Sequence, residues 1–100
     1  MEATIVVVGT FKEDYEHVFA DYSQKVRAFL GKQNSVVIRR QSIEQTLYGD
    51  TRPSLIMLID FASAEIARSC FFEQEYLSLI PLRDQVFADF QMYLARYGEI

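Results

Sequence analysis

Two short segments, residues 5–8 (IVVV) and 55–59 (LIMLI), carry apolar side chains at every consecutive position. Successive side chains of an extended strand point to opposite faces, so both segments are apolar on both faces at once: Ile5 and Val7 against Val6 and Val8, and Leu55, Met57 and Ile59 against Ile56 and Leu58. Neither run approaches the roughly 20 residues that a helix needs to cross a bilayer, and β-branched residues favour a strand. Strands of this kind belong at the centre of a sheet that is covered on both sides. Any fold for the chain has to supply both covers.

The elements around these runs can be read in order. Residues 4–11 (TIVVVGTF) are predicted as the first strand. Over residues 15–30, Tyr15, Phe19, Tyr22, Val26, Phe29 and Leu30 recur at spacings of three and four, which marks one stripe of a helix. Asp14 is the expected N-cap and Gly31 the expected stop. Residues 35–38 and 43–47 read as one long strand broken near Gln41 and Ser42, and residues 48–53 (YGDTRP) then supply a reversal. Residues 55–61 (LIMLIDF) form the next strand, interrupted only by Asp60. Ser63 is placed to cap a helix over residues 64–72, and further helical turns over residues 73–87 are kinked or restarted at Pro81. Residues 90–97 (FQMYLARY) alternate and close the chain as a strand that ends at Gly98.

The order β-α-β-β-α-β predicts an α+β, ferredoxin-like fold: a four-stranded antiparallel sheet with two helices on one face and the first and third strands central. With no linker or repeat, residues 1–100 read as a single domain. Two helices cover only one face of such a sheet. The other face, apolar along both central strands, would exceed the few hundred Å² that a monomer usually leaves exposed. A second copy packing sheet against sheet is the expected cover, with at least about 800 Å² buried per partner.

Composition narrows the function classes. Half of the residues are hydrophobic and 24% are charged, which excludes a disordered or collagen-like chain. Ten Lys and Arg against fourteen Asp and Glu leave a net charge of −4, which opposes binding to a phosphate backbone; Arg39 and Arg40 are the one adjacent basic pair, and no nucleic-acid partner is expected. Cys70 is the single cysteine and has no Cys or His at metal-ligand spacing, so neither disulfide nor metal is expected, and a cytoplasmic location fits best. The opening residues have no basic region ahead of their short apolar run, so neither a signal peptide nor a membrane partner is expected. No phosphate loop, nucleophile elbow or HExxH motif occurs, and no cofactor is expected.

The candidate site residues each have two readings. Asp60 breaks an apolar strand on the face of Ile56 and Leu58, where a carboxylate needs a partner or a wet cavity. It is expected either to pair across the hairpin with Arg39 or Arg40, or to face a ligand as a catalytic acid. Arg83 can anchor a substrate carboxylate, or be held by Glu75. Tyr22, Tyr76, Tyr93 and Tyr97 can line a cavity as phenolic donors, or pack as core. His17, the one imidazole, lies off the helix stripe and reads as a surface residue rather than a general base, while Cys70 reads as a small buried hydrophobe.

Gly49-Asp50 and Pro53, then Asp60-Phe61, Ser63, Glu65 and Ala67, then Glu75-Tyr76 and Pro81-Leu82-Arg83, together with Phe19-Ala20-Asp21-Tyr22 in the first helix, form a pattern spread over nearly the whole chain. In this pattern the sequence resembles the bacterial family called domain of unknown function 1330, of the dimeric α/β-barrel superfamily. It departs from that family at Gln33-Asn34-Ser35, where His-Gly-Gly is usual, and at Gln41-Ser42, where Gly-Gly is usual. The resemblance implies a ferredoxin-like fold and a two-fold dimer whose sheets form a shared barrel. Residues and resemblance together lead to a small cytoplasmic homodimer with a small-molecule cavity between helices and sheet, bounded by Tyr22, Tyr76 and Arg83. The alternative is a cofactor-independent enzyme, an isomerase, decarboxylase or monooxygenase acting on a small organic acid or aromatic, with Asp60 and Arg83 as its catalytic pair.

Overall fold

The apolar runs occupy the two central strands of one sheet. In a computed structural model that describes residues 2–98, β1 (Ala3–Phe11) leads into α1 (Glu16–Gly31), followed by β2 (Ser35–Ser42), β3 (Leu55–Phe61), α2 (Ala64–Cys70), α3 (Gln74–Leu77), α4 (Ile80–Val86) and β4 (Phe87–Arg96). The strands lie in the order β2-β3-β1-β4, and each neighbouring pair is antiparallel. The chain is therefore an α+β protein of ferredoxin-like topology, as the order of its elements implied.

Register assigns every side chain to a face. Ile5 opposes Ile59 and Val7 opposes Met57 across β1 and β3, and Val7 opposes Met92 across β1 and β4. These residues point at the helices, where Ile5, Val7, Phe29, Leu30, Ile59, Phe61, Ala67, Cys70 and Tyr76 form the buried core. Val6 opposite Leu58, and Val8 opposite Ile56, point the other way and are half-buried. No helix of the described chain lies over them.

Several local expectations are corrected. α1 starts at Glu16 without a side-chain cap, because Asp14 adopts a left-handed turn conformation (φ 63°). The entry angle is set instead by Tyr15, whose ring stacks on Phe11 with centroids 3.9 Å apart. Gly31 is the last residue of α1 rather than its stop. β2 ends at Ser42, not at residue 47, because Ser42 opposes Leu55, the first residue of β3, and no further strand remains to pair with. The Ile43 amide closes the ladder on the Ser54 carbonyl at 2.8 Å, and residues 44–53 project as a loop with Gly49 at φ 118° and Tyr48 almost wholly exposed. Ser63 does cap α2, accepting from the Ile66 amide at 3.1 Å. Pro81 lies in the first turn of α4, where its missing N–H costs nothing. No described helix is long and apolar enough to cross a membrane.

Candidate functional site

The helical stripe read from the sequence forms the roof of an internal space. Phe19, Tyr22 and Val26 of α1 stand over Val7, Met57, Ile59 and Met92 of the sheet, and a cavity of about 270 Å³ remains between them, walled further by Phe71, Tyr76, Phe87 and Phe90. That volume lies just below the usual range for small-molecule sites, and an apolar wall with a few convergent polar groups is typical of them.

Two phenols reach this space. Burial, reinforced by the neighbouring Tyr76, raises the Tyr22 hydroxyl well above its ordinary pKa of 10.0. Burial raises Tyr76 as well, against the pull of the adjacent Arg83. Both are neutral through the physiological range and keep a proton to donate. Arg83 lies behind Tyr76: its Nη1 donates to the Tyr76 hydroxyl oxygen at 3.2 Å, its Nε donates to Asp84 Oδ1 at 3.3 Å, and its guanidinium lies 4.8 Å from the Phe90 ring centroid. With its oxygen engaged by Arg83, the Tyr76 hydroxyl proton is left for the cavity. Arg83 thus reaches the space through Tyr76 and Phe90, and its holder is Asp84 rather than Glu75, which pairs with Lys32 at 3.0 Å.

Asp60 lies elsewhere. It opposes Thr4 across β1 and accepts from Thr4 Oγ1 at 2.6 Å on the outer face, with the whole sheet between it and the cavity. The expected pairing with Arg39 or Arg40 is not formed: Val36 stands opposite Asp60, Arg39 opposite Leu58 and Arg40 opposite Met57, and among the described residues Asp60 makes no ion pair with either arginine. Tyr22, Tyr76 and Arg83 are brought together; Asp60 is not. Tyr93 also lies on the outer face, opposite Val6 and hydrogen-bonded to Gln91, and Tyr97 is exposed beyond the end of β4. His17 is a surface residue whose Nδ1–H donates to the Asp14 carbonyl at 2.6 Å. The Cys70 thiol is buried and pushed up to about 11 by that burial and by the Glu73 carboxylate. No cluster of three potential metal ligands occurs among the described residues.

Sequence reasoning missed the cavity mouth. β2 carries an irregularity between Val37 and Arg39, so Ile38 is extra and the alternation shifts by one. The bulge aims Arg40, not Arg39, toward the helices. There Arg40 meets Ser23 and Arg27 of α1 at the edge of the space, with its guanidinium 5.5 Å from the Phe19 ring centroid. An Arg-Arg pair in a strand gives no sign of which member turns inward.

The sequence matches the family model described as domain of unknown function (DUF1330) over residues 4–96. The chain belongs to the DUF1330 family. Known structures share its fold at low identity. A protein of unknown function from Rhodopseudomonas palustris superposes with a TM-score of 0.79 at 11% identity, over 99% of this chain and 84% of the other. A protein from Bacteroides fragilis described as dimeric, of unknown function and ferredoxin-like fold gives 0.66 at 10%, over 96% of each chain. An ethyl tert-butyl ether d (ethd) family protein from Bacillus halodurans gives 0.70 at 13%, over 98% of this chain and 100% of the other. No curated protein matches in sequence. At one departure from the DUF1330 pattern, Ser35 Oγ donates to the Leu30 carbonyl at 2.9 Å and the Gln33 amide donates to Glu73 at 3.0 Å, so both replacements tie down the end of α1.

Proposed function

We propose that this DUF1330 protein is a cytoplasmic homodimer in which each subunit binds a small, largely apolar organic molecule between α1 and the sheet. The observation that carries the reading is the 270 Å³ cavity itself, which is lined in part by buried core residues, Val7, Leu30, Ile59 and Tyr76. A space of this size lined by apolar groups stabilises a ligand by removing both from water. Tyr22 and Tyr76 serve as hydrogen-bond donors within it, and Arg83 positions Tyr76.

Surface area supports the dimer. The chain exposes 6977 Å², against about 5,800 Å² for a folded monomer of its mass. The excess, on the order of 1,100 Å², is similar to the ~800 Å² per partner of a standard interface, although the projecting loop contributes to it. Val6, Val8, Ile56 and Leu58 on the outer face are the apolar patch that such an interface covers. The dimeric description of the Bacteroides fragilis neighbour supports this arrangement. Native mass spectrometry of gently purified protein tests both parts. The expected result is twice the chain mass with added small-molecule mass that is lost in Val26→Phe, whose larger side chain fills the roof. A monomer overturns the dimer, and a dimer that neither retains nor takes up any small apolar probe overturns the binding role.

A further inference from the structure

Arg27 Nη2 and Arg40 Nη1 approach the same atom, Ser23 Oγ, at 3.4 and 3.5 Å. Two like charges converge on one neutral hydroxyl, and among the described residues neither guanidinium has a carboxylate within ion-pair distance. The chain is not short of acids, with fourteen Asp and Glu against ten Lys and Arg. On α1, Asp21 is taken by Lys25 at 3.2 Å. Glu16 borders the adjoining open hollow that Arg40 also lines, without pairing to it. Both side chains are exposed, so solvent screens their mutual repulsion, and an anion held between them is attracted by both at once.

We infer that the ligand is a monoanionic amphipath, a carboxylate with a short apolar tail, whose head group is held by Arg27 and Arg40 at the cavity mouth while the tail enters between α1 and the sheet. The inference rests on the cavity reading above and adds the chemical class of its occupant. The planar guanidinium fork matches a carboxylate, whose two oxygens accept at ~2.7–2.9 Å, better than it matches one hydroxyl at the outer limit of a hydrogen bond. The inner wall offers no competing charge, because Tyr22 and Tyr76 are neutral and Arg83 is engaged by Asp84 and Tyr76. Polarity therefore runs one way through the site: cationic at the mouth, apolar within. The bulge in β2 produces this gradient by turning Arg40 inward, and the Phe19 ring beneath its guanidinium fixes the side chain over the opening.

Titration calorimetry with octanoate and 1-octanol, which share a tail and differ in head group, tests the inference on the intact protein, with circular dichroism verifying the fold of each variant. The wild type is expected to bind octanoate at least about tenfold more tightly than octanol, with octanoate affinity falling as salt rises. In Arg27→Gln/Arg40→Gln that preference is expected to vanish with octanol binding unchanged. In Val26→Phe both probes are expected to be lost. Equal binding of the two probes by the wild type, or an octanoate preference that survives the double substitution, overturns the anion inference while the cavity reading stands. Absence of binding by either probe, or binding that persists in Val26→Phe, overturns the cavity reading and the inference with it.

Discussion

Gly9 is buried on β1 between Leu55 and Phe90, and the ring of Phe87 fills the place its side chain would take. A Cβ there would lie 2.5 Å from Phe87 Cε1 and 2.8 Å from Cδ1, and that ring is confined by Phe11, Tyr22 and Phe90. Gly9→Ala is therefore expected to cost about 1–3 kcal/mol in urea unfolding, with partial recovery when Phe87→Leu is added. Cys70 gives a pH prediction. Its thiol titrates at 9.0 when unperturbed and near 11 in the fold. A group whose pKa is raised by folding contributes stability that is complete below its unfolded pKa. Above pH 9 the unfolded chain releases its proton first, so stability falls until the folded thiol titrates. Between pH 9 and 11 the wild type should therefore lose more stability than Cys70→Ala does, as measured by parallel denaturation curves. The Tyr22 contribution, present in both proteins, cancels from the comparison, and the like-charge coupling of Cys70 to Tyr76, present only in the wild type, acts in the same direction.

At the level of elements, what was legible in the sequence is what local chemistry decides. The doubly apolar runs mark β1 and β3, the three-and-four spacing from Phe19 to Leu30 marks α1, and Ser63 marks the start of α2. Ser63→Ala is expected to cost about 1 kcal/mol by removing the acceptor for the Ile66 amide, with Ser63→Asp restoring most of it, again by urea unfolding. What was not legible depends on partners distant in the chain. Ile43 and Leu47 look like strand, yet β3 begins only at Leu55, opposite Ser42, and leaves them no partner. The helical reading runs to residue 87 and the last strand is expected only from residue 90, yet Phe87 pairs with Phe11 past a register shift, so β4 starts early. The same kind of long-range register turned Arg40 inward and set Asp60 beside Thr4, which is why the cavity mouth was missed and the acid was expected next to arginine. Tyr22 could be found because it sits on α1, whose inward face is set by periodicity, whereas Tyr76 lies on α3, a single turn too short to show a period.

On the scale of the whole molecule, the subunit is a slab of 35 × 34 × 18 Å. Its short dimension holds one sheet and one layer of helices, which sit about 10 Å apart when packed, and nothing more. The core of such a slab is one-sided, so the proposed interface falls on the outer face of β1 and β3. A two-fold axis places each outer-face residue twice in the interface, and a buried charge without a partner is strongly unfavourable. Leu58→Glu puts a carboxylate opposite Val6 in the middle of that face. Sedimentation velocity should then report a dimer for the wild type and a monomer for Leu58→Glu, with helix content unchanged, because Leu58 points away from the helical core. Arg68→Glu on the exposed side of α2 makes a larger change in charge and should leave the dimer intact. A Leu58→Glu protein that stays dimeric would put the interface elsewhere, and the two apolar faces of the central strands would then need another cover.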